Sequence, residues 1–167
     1  MPISKYMKQL RERVGPALVL VAGTGAVIPD DAGRVLLLRR SDSGLWGLPG
    51  GAIDPSEAPA QALVREVREE TGLRVRPLRV AGVFGGPRCR YRYPNGDEVE
   101  TTSILFECAI VDGNLESRDG EALEFAYFAP DALPELAIRL PAELVPSLNG
   151  AAEPAFEWNE RWLDELE

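Results

Sequence analysis

The chain has 167 residues, the size of a single domain, and its 45% hydrophobic and 27% charged content is that of an ordinary soluble globular protein. A net charge of −9 argues against broad binding to nucleic acid or to an anionic membrane, and a phosphate ligand would need metal ions as intermediaries. There is no histidine, which excludes Ser-His-Asp and Cys-His catalysis, His-ligated zinc and a histidine general base.

Residues 1–14 carry Tyr6, Leu10 and Val14 at i, i+4, i+8, with Ile3 and Met7 alongside. The spacing predicts a short amphipathic helix, added to a single domain over residues 15–167. Docking on its own domain is the first expectation for it; a homodimer contact or a lid over the site are the alternatives. Basic residues interrupt its apolar positions, so it does not read as a signal peptide. No segment has the roughly 18 consecutive apolar residues of a membrane span. Residues 17–28 read as a strand with candidate break points at Gly23 and Gly25. A turn at 29–33 leads to a second strand at 35–38, ending in Arg39 and Arg40. A loop and a glycine-rich run, Leu45 to Gly51, follow.

Residues 51–73 predict a helix. Ser56 is the candidate N-cap, Pro59 sits in the first turn, and Gly72 lies just past the end. At about 100° per residue, Ala60, Leu63, Val64 and Val67 form an apolar arc, while Glu66, Glu69 and Glu70 form an acidic one. Like charges three and four residues apart cost about 0.2–0.5 kcal/mol per pair, so the acidic arc either is simply solvated or serves a cation. Arg65 lies beside Glu69 at i, i+4 and could hold one carboxylate in place.

Gly51, Glu57, Arg65-Glu66-Val67, Glu69-Glu70 and Gly72-Leu73 occupy every fixed position of a known pattern. The stretch resembles a complete Nudix box. The resemblance implies an α/β protein with the Nudix fold, a mixed β-sheet sandwiched between α-helices. By order of elements it covers about residues 17–137.

Beyond the box, 75–84 read as a strand broken by Gly85-Gly86-Pro87. Residues 89–93 and 98–110 form a hairpin whose Asn95-Gly96 suits a type I′ turn. A turn at 112–114 precedes a strand over 122–128, with Glu121 at its start. Residues 130–136 and 141–148 read as short helices, 147–155 as a connector and 157–166 as a last helix. In that helix Trp158 and Trp162 would form a docking stripe. Cys89 and Cys108 lack metal or redox spacing and read as free thiols in a reducing cytosol, hence a cytoplasmic protein.

The resemblance implies an enzyme that hydrolyses a nucleoside diphosphate linked to another group, X, through metal-assisted attack of water on phosphorus. Mg²⁺ is the expected cofactor, with Mn²⁺ as a substitute. Glu66, Glu69 and Glu70 look like the metal ligands, with the Gly51 carbonyl. Glu57 supports either the metal or Arg65, although the helical wheel leaves it off the acidic arc. Arg65 orients. The general base is Glu66 or a downstream residue such as Glu121.

For X, two positional rules of the family compete. Pro87 lies 15 residues past Gly72, a spacing that accompanies ADP-ribose hydrolysis. Tyr91 lies 18 past Leu73, a spacing that accompanies diadenosine polyphosphate hydrolysis. The first is preferred, for ADP-ribose or another nucleotide sugar, with an oxidised or normal nucleoside triphosphate as competitor. Trp46, Phe84, Tyr91 and Tyr93 are candidates to stack on a base. Arg39, Arg88, Arg90 and Arg92 are candidates for phosphate or ribose. The expected partner is a small-molecule nucleotide, not a nucleic acid. The reading of another class is a nucleotide sensor that does not hydrolyse. An intact box argues against it.

Overall fold

The computed structural model describes residues 4–93, 95–138, 140, 144–148 and 153–164. The expectations for Ile3 and for positions 141–143, 149–152 and 165–167 lie outside the described residues.

Helix α1 (Lys5–Val14) begins where the Ser4 side chain accepts the Met7 N–H, at 3.2 Å. Strand β1 (Val19–Val27) runs unbroken through Gly23 and Gly25. Those glycines make room for neighbours instead. A Cβ would stand 2.8 Å from Ser103 Oγ at Gly23 and 2.7 Å from Leu105 Cδ2 at Gly25. Strands β2 (Val35–Arg40), β3 (Trp46–Gly47) and β4 (Gly50–Ala52) lead into helix α2 (Pro59–Thr71).

Ser56 is not the N-cap of α2. That position belongs to Ala58, with Pro59 first in the helix, where a missing N–H costs nothing. Ser56 sits in the left-handed region, φ 74°, and shapes the preceding loop. Gly72 ends the helix at φ 72°, as expected.

Strand β5 (Leu73–Phe84) then pairs antiparallel with β7 (Glu98–Gly113), and Pro77 is accommodated at a bulge. Short β6 (Arg90–Arg92) pairs with the start of β7. Their connection is not a type I′ turn. The Gly96 N–H donates to the Tyr93 carbonyl and the Tyr93 N–H to the Asp97 carbonyl, each at 2.9 Å. The bond to Tyr93 ends on Gly96 instead of enclosing Asn95-Gly96 as the two central residues, as a type I′ turn would, and Gly96 has φ 90°. The loop therefore spans three residues and closes with Gly96.

Strand β8 (Ala122–Phe128) pairs with β2, giving a small sheet ordered β3-β2-β8. The larger sheet runs β4-β1-β7-β5-β9, with β6 on β7, where β9 is Ala155–Phe156. It is mixed, because β1–β7 and β5–β9 are parallel pairs.

Helix α2 lies between the two sheets. Its Leu63 and Val67 pack with Ala26, Val75 and Cys108 of the larger sheet and with Leu36 of the smaller. Alternation along the strands sends Val27 and Leu105 to the opposite face, where Leu144 and Leu148 of α3 (Leu144–Leu148) cover them. The expected α/β arrangement with helices on both faces of a mixed sheet is thus present, with a second sheet beyond α2.

One expected helix is absent and another is shorter than expected among the described residues. Residues 130–136 form a turn and an extended segment, and Leu136 bridges to Trp46. Pro134, fifth in that stretch, lacks the N–H that would bond the Pro130 carbonyl, and it biases Leu133 toward extended angles. Of the final helix expected over 157–166, the described residues hold α4 (Arg161–Asp164). The Asn159 side chain accepts the Arg161 N–H at 3.0 Å and sets its start late. Trp158 and Trp162 meet edge to face at 5.9 Å, yet they are 55% and 41% exposed and do not dock on the domain.

Candidate active site

The acidic arc of α2 divides on folding. Glu70 stands seven residues after Leu63 and three after Val67, on the edge of the apolar face, and is 2% exposed. Its Oε2 accepts the Gly50 N–H at 2.7 Å. Glu66 lies against the next residue of β4: a Cβ on Gly51 would sit 2.5 Å from the Glu66 carboxyl carbon and 2.7 Å from both its oxygens. The glycine backbone of β4 is therefore laid flat on two carboxylates. Glu69, half exposed, is at the rim.

Arg65 ties this cluster to the loop before the helix. Its Nε and Nη2 donate to the two oxygens of Glu57, at 2.8 and 2.9 Å. Nη2 also reaches the Ala52 carbonyl at 3.1 Å, and Nη1 reaches Glu66 at 2.7 Å and Glu69 at 3.3 Å. Glu57 is off the acidic arc, as the helical wheel requires. Its Oε2 also accepts the Asp54 N–H, so both oxygens are committed and its place is that of an anchor for Arg65. Hydrogen bonds from Arg65 hold Glu57 below the usual carboxylate range.

The other carboxyls shift the opposite way. Burial pushes Glu66 up, against the pull of Arg65, and Glu69 and Glu121 add to the rise. Burial raises Glu70 well above its ordinary value, although the Gly50 N–H favours its charge. Burial also raises Glu121. Glu121 is brought to Glu70 at the end of β2: both line a cavity of about 10 Å³ with Leu38, Arg40, Ser41 and Asp42, room for about one water.

Three desolvated carboxyls accumulate charge that a cation would relieve, and an oxygen-only donor set suits a hard divalent ion. By donor chemistry, Glu66, Glu69 and Glu70 fit such an ion. Among the described residues, however, no three acidic or sulfur side chains are grouped closely enough to cage a metal as they stand. Arg65 engages Oε1 of Glu66 and Oε2 of Glu69, so one oxygen of each carboxylate is taken up by the arginine.

The residues expected to bind substrate separate. Phe84 is 4% exposed and packs with Leu105 and Leu144, so it is a core residue and presents no ring to a base. Trp46 stands edge-on to Phe128 at 4.9 Å. Arg39 pairs with Glu124 across the small sheet at 3.1 Å, away from the Glu70 cavity. Pro87 opens an exposed 3₁₀ turn. Arg88, Arg90 and Arg92 are all paired on the surface, with Glu157, Glu100 and Glu98.

Tyr91 is the exception. Its ring lies 5.7 Å from the Arg40 guanidinium and 4.9 Å from Tyr93, and its hydroxyl reaches Asp42 at 3.4 Å.

Sequence reasoning missed Arg40 and Asp42. Burial works against the charge of Arg40, but the Asp42 carboxylate, at 3.0 Å from Nε and 2.6 Å from Nη2, keeps it. No local signal separated Arg40 from Arg39: Val35 to Leu38 are buried on both faces, and the pairing of β2 with β8 decides which arginine reaches the cavity.

Comparison with known proteins places these residues in a wider set. A family model, the NUDIX domain, matches residues 19–148. A MutT-like protein of Streptomyces ambofaciens is 34% identical over 147 residues, 87% of this chain and 88% of that protein. An ADP-ribose pyrophosphatase of Methanocaldococcus jannaschii is 34% identical over 134 residues, 78% of this chain and 72% of that one. Among solved structures, an ADP-ribose pyrophosphatase of Streptococcus suis superposes with a TM-score of 0.64 at 27% identity, covering 82% of this chain and 96% of that one.

Proposed function

The chain belongs to the NUDIX family of hydrolases, and from that premise we propose that it is a Mg²⁺-dependent pyrophosphohydrolase for ADP-ribose or a closely related nucleotide sugar. That it is a pyrophosphohydrolase acting on small nucleotides follows from the family, whose members generally use a divalent metal. The metal identity and X are our reading.

The observation that carries it is the seating of Glu70 and Glu66 against the backbone of Gly50 and Gly51. Glu66, Glu69, Glu70 and the Gly51 carbonyl would hold the cation. When bound, the ion would neutralise diphosphate oxygens and make a nearby water more acidic.

The protein's own groups do the rest. Arg65, fixed by Glu57, sets the rotamers of Glu66 and Glu69 and so the positions their oxygens can reach. Glu121 and Glu66 are the candidate bases, because each is partly desolvated and can take a proton from a water beside it. Arg40 lines the Glu70–Glu121 cavity and would offset leaving phosphate charge. ADP-ribose is favoured for X by the two ADP-ribose pyrophosphatases the chain is similar to, and by Pro87 at its distance from the box.

The test is phosphate release, coupled to a phosphatase, over ADP-ribose, nucleotide sugars, diadenosine polyphosphates and nucleoside triphosphates, with and without Mg²⁺. Turnover of ADP-ribose or a nucleotide sugar far above the rest, and only with metal, is expected. A triphosphate as the fastest substrate would overturn the choice of X.

A further inference from the structure

A groove of about 450 Å³ opens on the other side of Glu57, within the size range of ligand sites. Helix α1 forms one wall with Tyr6, Met7 and Leu10; the loop over residues 53–57 forms the other. Its floor is the first half of β1. Leu20 and Ala22 point to the same face as Ala26, which α2 covers, but α2 starts only at Pro59 and leaves them bare. Leu20 is 70% exposed and Tyr6 49%, an apolar surface that folding itself does not use. Strand β4 pairs with β1 from Gly23 to Gly25 and the Ile53 N–H reaches the Ala22 carbonyl at 2.9 Å, so before Ala22 that edge of β1 has no β-partner among the described residues.

The wall is fixed. Helix α1 has no buried residue, yet Arg11, its side chain only 10% exposed, fastens it. Arg11 donates to the Gly15 and Ala17 carbonyls and, at 2.7 Å, to Glu98 of β7, and it pairs with Asp97 at 3.6 Å.

The lining carries no lysine or arginine, and its Glu57 carboxylate is taken up by Arg65 and the Asp54 N–H. The Asp54 carboxylate offers the groove an acceptor for amines and hydroxyls, and no basic side chain of the lining draws a phosphate there. The groove is also continuous with the catalytic cluster, since Glu57 and Ala52 both line it and both hold Arg65.

We propose that this groove seats the uncharged nucleoside end of the substrate, with Tyr6 and Leu20 packing on the base and the Asp54 side accepting its amine or ribose hydroxyls. The proposal rests on the reading of the chain as a nucleoside diphosphate hydrolase, and its test is separable from that reading.

The full chain, labelled on the methionine methyls and backbone amides, is titrated by NMR with adenosine, then separately with inorganic phosphate. Adenosine is expected to move the Met7 methyl and the amides of residues 19–22, and phosphate to leave them unmoved. Shifts confined to the surroundings of Trp46 and Tyr91, or none by about 5 mM, would overturn the proposal. So would Met7 shifts that follow protein concentration alone, the sign of a second copy in the groove.

With the hydrolysed substrate, Leu20→Glu is expected to raise KM about tenfold, the loss falling on KM and not on kcat. An unchanged KM counts against the groove. Failure to hydrolyse any nucleotide would overturn the proposed reaction and leave the adenosine titration standing on its own.

Discussion

Arg65 and Glu57 meet in a two-pronged ion pair, 2.8 and 2.9 Å, that joins the first turns of α2 to the loop before it. Glu57 thereby fixes the one cation that touches both Glu66 and Glu69 among the contacts described. A lysine has one ammonium and cannot reproduce the fork. Arg65→Lys should therefore keep its melting temperature nearly unchanged and lose about a hundredfold in kcat, the scale of a roughly 1 Å misplacement in a site. Glu57→Gln should show the same pattern to a smaller degree. Wild-type turnover in Arg65→Lys would show that the charge alone matters.

Gly50 and Gly51 should respond differently to alanine. Gly51 has ordinary backbone angles, but its Cβ would meet the Glu66 carboxyl at 2.5 Å. Gly51→Ala should fold and lose activity. Gly50 has φ 149°, and a Cβ there would run into the Thr24 carbonyl. Gly50→Ala should lose about 1–3 kcal/mol of stability besides activity. Denaturation with urea, read beside turnover, separates the two.

Glu69 is exposed enough to tolerate change, so Glu69→Gln should fold as the wild type does and lose at least about a hundredfold in turnover. Mg²⁺ bound at about a hundred times its Kd should stabilise the wild type by about 2.7 kcal/mol, and Glu70→Gln should lose most of that gain. Melting curves with and without Mg²⁺ check this. An equal gain in Glu70→Gln would remove Glu70 from the metal site.

Burial pushes the Cys108 thiol from its ordinary 9.0 up to about 12, and Cys89 is also raised by burial. In the unfolded chain Cys108 ionises near pH 9, while in the folded protein it stays neutral. The unfolded state then binds fewer protons, so this contribution to stability is complete below pH 9 and is lost as pH rises toward 12. Urea midpoints should fall across that interval, and Cys108→Ser should flatten the fall. Both thiols should react with a disulfide reagent only on unfolding, since both are buried.

The family and the central helix are legible from residues close together in the chain. Gly51, Glu57, Arg65, Glu66, Glu69, Glu70 and Gly72 are local in the chain, and the helical period relates all but the loop residues. The strands at 35–40, 75–84 and 122–128 were legible for the same reason, because apolar β-formers bounded by turn residues carry their own signal. Tertiary structure decided what periodicity cannot express.

Glu70 and Glu66 are one acidic arc on a wheel, yet only contact with β4 and β1 makes Glu70 buried and leaves Glu69 at the rim. Phe84 reads as an aromatic near a loop until Leu105 and Leu144 close over it. Arg40 reaches the cavity and Arg39 does not, because the pairing of β2 with β8 fixes which face turns inward. The groove beside α1 joins box residues 53–57 to a helix and a strand that carry no motif. It exists because a helix near the start of the chain is fastened by Arg11 to a strand 87 positions later, and contacts at that separation are set by packing and charge rather than by any local pattern.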